Sequence, residues 1–172
     1  MIMKELMIIM SMIQVINASS LECLLYNFTL LKLEVIFVFL LLAPITIDCE
    51  GTVTQVTTPE TIIQSPNYPN DYLNNQDCKA VVKFAQGQKV SVEFLAFNVE
   101  PDTNCSYDWL EIRDGIDSSA DLLASRKCEN QTLAPIESSG NTLHLHFHTD
   151  HSQTRSGFQL RVHDRGMYFF LE

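Results

Sequence analysis

The sequence predicts an all-β fold, a sandwich or barrel of short strands, and three observations carry that prediction. Apolar and polar residues alternate with a period of two along several separate runs. Those runs are divided by clusters of Gly, Pro, Asn, Asp and Ser, the residues that turns select. After position 49 no helical periodicity is sustained over 11 residues.

The runs follow in order. A turn segment, Ser65-Pro-Asn-Tyr-Pro-Asn-Asp71, comes first. After the Gln86–Gly87 turn, Val90, Val92 and Phe94 alternate with Ser91 and Glu93. Leu110 and Ile112 alternate with Trp109, Glu111 and Arg113, and the run stops at Asp114–Gly115. Beyond Ser138-Ser-Gly-Asn141, Leu143, Leu145 and Phe147 alternate with His144, His146 and His148. After Ser156–Gly157, Phe158, Leu160 and Val162 alternate with Gln159 and Arg161. On a strand this spacing sends one set of side chains to a core and the other to solvent. Residues 164–172 read as a C-terminal tail, with a last short strand and a ragged end both open.

The 172 residues carry 21 acidic and 11 basic side chains, a net charge of −10. That balance excludes a nucleic-acid binder, which needs a basic face, and argues against docking on anionic lipid. It suits cations, either calcium or the Lys and Arg side chains of a partner. Residues 1–48 differ from the rest. They hold two apolar runs, Leu6–Ile16 and Val35–Ile47, and the second is uncharged. Its length matches the core of a secretory signal and is short for a membrane span. Residues 1–48 are therefore read as a leader, a cleaved signal peptide in preference to a retained signal anchor, which would tie the protein to a membrane. The leader is longer than usual, its positive flank is weak, and no small-x-small cleavage site precedes Cys49.

Four cysteines follow the leader: Cys49, Cys78, Cys105 and Cys128, with Cys23 left inside it. In an extracellular domain they read as two disulfides with three possible connectivities. No CxxC pair marks a structural zinc site. Sequons at Asn104 and Asn130 are glycosylation candidates, and Asn17 and Asn27 head two more in the leader.

Three segments carry a family resemblance. Ser65-Pro-Asn-Tyr-Pro-Asn-Asp-Tyr72, Cys105-Ser-Tyr-Asp-Trp-Leu-Glu-Ile-Arg-Asp-Gly115, and Ser138-Ser-Gly-Asn-Thr-Leu-His-Leu-His-Phe-His-Thr-Asp150 with Gly157–Phe158 resemble motifs of the CUB domain family. The four cysteines fall in the family's order, and the match covers residues 49–163. The resemblance implies an extracellular, antiparallel jelly-roll-like β-sandwich with Cys49 paired to Cys78 and Cys105 to Cys128. It also implies one weakly held calcium ion, as in the calcium-binding subgroup. The carboxylates carried over are Glu100, Asp108 and Asp150, with a backbone carbonyl at Ser152 and a side-chain amide at Gln153, where the family usually has Asn. Tyr72 supports the carboxylates by hydrogen bonding. In that subgroup the same acids capture a Lys or Arg of a partner, which makes Tyr72, Glu100, Asp108 and Asp150 the implied partner-binding residues. Hard oxygen ligands of this kind suit calcium.

Other residues receive blander readings. His144, His146, His148 and His151 have a spacing that could suit zinc, yet the same spacing describes the polar outer face of one strand, which is the reading taken. Trp109 points outward by alternation and is read as packing against the sheet face. Tyr68 and Tyr107 are read as packing residues. No HExxH, GxSxG or P-loop motif occurs, so no enzyme is expected. The functional expectation is a secreted CUB module for calcium-dependent protein binding. Its rivals are a recognition domain belonging to a larger secreted protease and a calcium-independent module that binds glycan or protein.

Overall fold

The computed structural model describes residues 43–50, 53–58, 60–130 and 133–166. Among them run eleven strands: β1 (Ile45–Thr46), β2 (Val53–Val56), β3 (Glu60–Gln64), β4 (Asp77–Lys83), β5 (Val90–Val99), β6 (Trp109–Arg113), β7 (Leu122–Lys127), β8 (Glu129–Asn130), β9 (Ile136–Glu137), β10 (Thr142–His148) and β11 (Gly157–Asp164). One sheet has the order β1-β3-β11-β5-β8, with β9 also paired to β5, and the other has the order β2-β4-β10-β6-β7. The pairs β1/β3 and β2/β4 are parallel and the rest antiparallel. No helix among the described residues is long and apolar enough to cross a membrane.

Alternation sets the register. In the second sheet Leu145 lies between Ala80 and Ile112, and Phe147 between Cys78 and Leu110, all of them buried. In the first, Leu160 lies between Ile63 and Phe94, and Val162 pairs with Val92. The two inner faces meet where Phe147 of β10 contacts Phe158 of β11, ring centroids 5.2 Å apart and edge to face. Each fully buried Leu, Ile or Phe contributes about 1.5–3 kcal/mol of transfer free energy to this core.

Strand β5 breaks its own alternation. Phe94 pairs with Leu160 and Ala96 with Gln159, so Leu95 is an extra residue with no partner across the ladder. It is 50% exposed. Before it the inward residues are Val90 and Val92; after it they are Phe97 and Val99. A one-residue bulge flips the parity of everything that follows.

Both disulfides join the cysteines that the family resemblance implies, Cys49 with Cys78 and Cys105 with Cys128. The compact unit begins at Ala43. Ile45–Thr46 pair with β3, and Ile47 is 2% exposed with its N–H donating to the Gln64 carbonyl at 3.1 Å. These residues belong to the apolar run read as leader. An edge strand and a signal core are both short uncharged apolar runs, and periodicity does not separate them. Residues 1–42, and with them the signal or anchor reading, Cys23 and the two leader sequons, lie outside the described residues, as do Gln131 and Thr132 of the Asn130 sequon and residues 167–172 of the tail. Asp164 ends β11, where its carboxylate accepts a hydrogen bond from Gln88 Nε2 at 2.9 Å.

Candidate functional site

The strand ends gather the acids at one end of the sandwich. Glu100 follows the last residue of β5, Asp108 precedes the first of β6, and Asp150 lies just beyond β10. The first belongs to one sheet and the other two to its partner. The three carboxylates offer oxygens within 4.8 Å of one another, although Glu100 and Asp150 are far apart in the chain.

Tyr72, in the loop between β3 and β4, ties the group together. Its hydroxyl donates to Asp108 Oδ2 at 2.6 Å and accepts the Glu100 N–H at 3.0 Å. The ring is 1% exposed and packs edge-on to Phe147 at 5.2 Å. Asp108 Oδ1 accepts the Asp150 N–H at 2.7 Å. Asp150 Oδ1 in turn accepts the Ser152 N–H at 2.8 Å, which closes a local turn. Burial, followed by the bond to Asp108, pushes the Tyr72 phenol well above its usual range, so it stays a donor at neutral pH.

Two of the acids are almost out of water: Asp108 is 0% and Glu100 2% exposed. Burial, reinforced by the charges of Asp108 and Asp150, raises the Glu100 pKa, and Arg155 offsets only part of this. Burial also raises Asp108, against the bonds from Tyr72 and Asp150. Glu100 Oε2 is buried with no hydrogen-bond partner. A buried carboxylate oxygen without a donor is costly, and a hard cation would satisfy it. The three converging carboxylates fit a hard cation such as calcium.

A stability prediction follows from the raised pKa of Glu100. A carboxyl whose folded pKa exceeds its unfolded value of about 4.5 contributes most below that value and loses the contribution as pH rises through the folded pKa. In calcium-free buffer the domain is expected to melt at higher temperature when mildly acidified from neutral. Glu100→Gln should raise the neutral-pH Tm and flatten that slope and, if the three acids hold calcium, should weaken that binding by tenfold or more, equivalent to about 1.4 kcal/mol. Melting curves across pH with a calcium chelator check the first part. A Glu100→Gln variant that melts lower at neutral pH would contradict it.

The remaining predicted residues are placed as follows. Ser152 meets the site through its N–H. Gln153 is exposed and holds a left-handed backbone at φ 55°, a conformation in which Asn is several-fold enriched and a longer side chain is not. Sequence reasoning missed the brace behind this loop. Tyr72 N–H donates to the Arg155 carbonyl at 3.0 Å, Asn75 N–H to the Asp150 carbonyl at 2.6 Å, and Asn74 Nδ2 to the His151 carbonyl at 3.1 Å. Nothing in local periodicity signals these contacts, because both partners lie in irregular loops. Asn104 and Asn130 are exposed. Tyr107 is 49% exposed, so it is not the packing residue expected. His144 is 3% exposed, unlike the solvated face predicted for it, whereas His151 is exposed. Trp109 is 7% exposed beneath His146, His148 and the Arg126 guanidinium, which sits 3.8 Å from the ring centroid.

The CUB domain model matches residues 49–162. The chain is 41% identical over 98 residues to bone morphogenetic protein 1 of Xenopus laevis, covering 57% of this chain and 14% of that one. It is 38% identical over 98 residues to cubilin of Rattus norvegicus, covering 57% and 3%. To tumor necrosis factor-inducible gene 6 protein of Homo sapiens it is 35% identical over 114 residues, covering 66% and 40%. The chain thus spans a minor part of the length of these relatives. Among solved structures it resembles the MASP-1 CUB2 domain bound to Ca2+, with a TM-score of 0.59 and 25% identity, covering 67% of this chain and 99% of that one. It also resembles a chain described as the full extracellular region of zebrafish Gpr126/Adgrg6, with a TM-score of 0.58 and 26% identity, covering 64% and 14%. A CUB domain is a non-catalytic module of protein–protein interaction. With its fold, its two disulfides and the span of the match in agreement, the chain belongs to the CUB domain family.

Proposed function

We propose that the protein is an extracellular CUB module that binds a partner protein in a calcium-dependent way. Glu100, Asp108 and Asp150 hold one calcium ion, with Ser152 and Gln153 supplying further oxygens and Tyr72 fixing the carboxylates. The negative charge left on the acids captures a Lys or Arg of the partner. The observation that carries this reading is the buried, unpartnered Glu100 Oε2 within a group of three converging carboxylates. The likeness to a calcium-bound CUB domain supports it. Two disulfides support an oxidising, extracellular location, as does the likeness to an extracellular region.

Three carboxylates around a doubly charged ion leave about one negative charge, enough to steer a cationic side chain. An extracellular module of this kind binds calcium in about the 0.1–1 mM range. Calorimetric titration of the full chain, expressed through a secretory host, should show one saturable calcium site, and Asp108→Ala should abolish it with the core intact. Silence at several times that concentration, or an unchanged affinity in Asp108→Ala, would overturn the assignment.

A further inference from the structure

A second group of ligating side chains lies on the outer face of the five-stranded sheet, at the same end as the acids: Asp77 opens β4 and His148 closes β10. His146 and His148 of β10 project from that face, and antiparallel pairing sets Asp77 of β4 opposite His148. Asp77 Oδ2 lies 3.0 Å from His146 Nε2 and 3.6 Å from His148 Nδ1. The other oxygen, Oδ1, is held by Lys79 Nζ at 2.8 Å. On the far side of β10, Trp109 stands opposite His148. It stacks on the His148 ring at 5.2 Å and meets His146 edge-on at 4.8 Å. Two imidazoles are thus held against one indole, and both present a nitrogen to the same carboxylate oxygen.

We propose that His146, His148 and Asp77 form a surface site for a divalent late transition-metal ion of the zinc and copper class, with water completing the coordination. Imidazole with a carboxylate suits these ions, whereas calcium prefers the all-oxygen set at the strand ends. Bonds of about 2.0–2.1 Å in a tetrahedral site keep neighbouring ligand atoms about 3.3 Å apart. The observed 3.0 and 3.6 Å separations bracket that value. The three ligand atoms do not yet lie as close together as those of the acids at the strand ends, so the ion must draw the two imidazoles together. His148, with its side chain 37% exposed, has room to turn. Lys79 plays the supporting part, orienting the carboxylate through the oxygen that the metal leaves. Asp77 is ionised at neutral pH. Burial works against its charge, but the bonds from Lys79 and His146 outweigh it and hold the pKa at about 2.

Trp109 is the sole tryptophan of the chain and touches both imidazoles, so its emission reports on the site. The full chain, without a histidine tag and with calcium saturating, is titrated with copper(II) at neutral pH. Quenching should saturate at one equivalent, and prior addition of zinc(II) should move the midpoint upward. His148→Gln and Asp77→Asn should each weaken binding by about tenfold or more. His151→Gln, altering an exposed histidine outside the group, should leave it unchanged. Quenching that does not saturate, that persists unchanged in both site variants, or that follows His151 would overturn the proposal. Unchanged far-ultraviolet circular dichroism in the two site variants separates lost ligands from lost fold.

Discussion

Gly157→Ala is expected to lower the stability of the domain by about 2–5 kcal/mol, since it combines an unfavourable backbone with a steric clash. Gly157 opens β11 with φ at 79°, where any residue with a Cβ is strained. An added Cβ would stand 1.9 Å from Ser65 Oγ and 2.9 Å from Ser65 Cβ. Ser65 cannot step aside cheaply. It is 0% exposed, its N–H donates to the Phe158 carbonyl at 3.0 Å, and its Oγ accepts the Phe158 N–H at 3.0 Å. That double link docks the Ser65–Asp71 turn onto β11, and Tyr72 follows directly. Its ring carbon Cδ1 is 3.4 Å from the same added Cβ. On the proposed reading of the acids, the variant should therefore lose calcium affinity as well as stability. Urea denaturation beside calcium calorimetry tests both, and a midpoint like that of the parent would show that the turn shifts freely.

Replacing Cys105 and Cys128 by serine together is expected to cost about 3 kcal/mol, the chain-entropy value for a bridge across 23 residues. The bridge also bears on the site. Cys105 holds a left-handed backbone at φ 47° within the short segment from Glu100 to Asp108. Nearby, Asp102 Oδ2 accepts the Ser106 N–H at 2.8 Å and the Ser106 hydroxyl at 2.6 Å, which closes a tight local turn. Loss of the bridge frees that segment and loosens the separation of Glu100 and Asp108, two carboxylates of the proposed calcium site. On the proposed reading, calcium affinity of the folded double variant should fall along with its denaturation midpoint. Full calcium affinity in that variant would show that the loop is held by Asp102 alone.

The core was legible because its signal is local. Leu143, Leu145 and Phe147 are buried as alternation requires, and so are Leu110, Ile112, Phe158, Leu160 and Val162. The same rule was silent about Leu95, because a bulge arises from pairing with β11 and β5 alone carries no sign of it. It misjudged His144, which stands on the outer face by parity yet is 3% exposed. Parity states which way a side chain points and leaves open what covers it. Ile47 shows a different limit: an apolar residue beside a domain boundary reads alike as signal core and as sandwich core.

The candidate site divides along the same line. The residue types could be named from motifs: a tyrosine after the proline turn, three acids and two pairs of cysteines. The sequence by itself determined the all-β class, most inward-facing residues, the turns and the acidic character of the chain. Only the tertiary structure decided that Glu100 Oε2 is buried without a partner, that one phenol bridges Asp108 and the Glu100 N–H, and that Asp77 stands between two histidines. Alternation and turn chemistry act between residues a few positions apart, so a chain displays them directly. Desolvation, convergent charge and ligand geometry depend on distances between residues far apart in the chain, which exist once the two sheets have closed on each other.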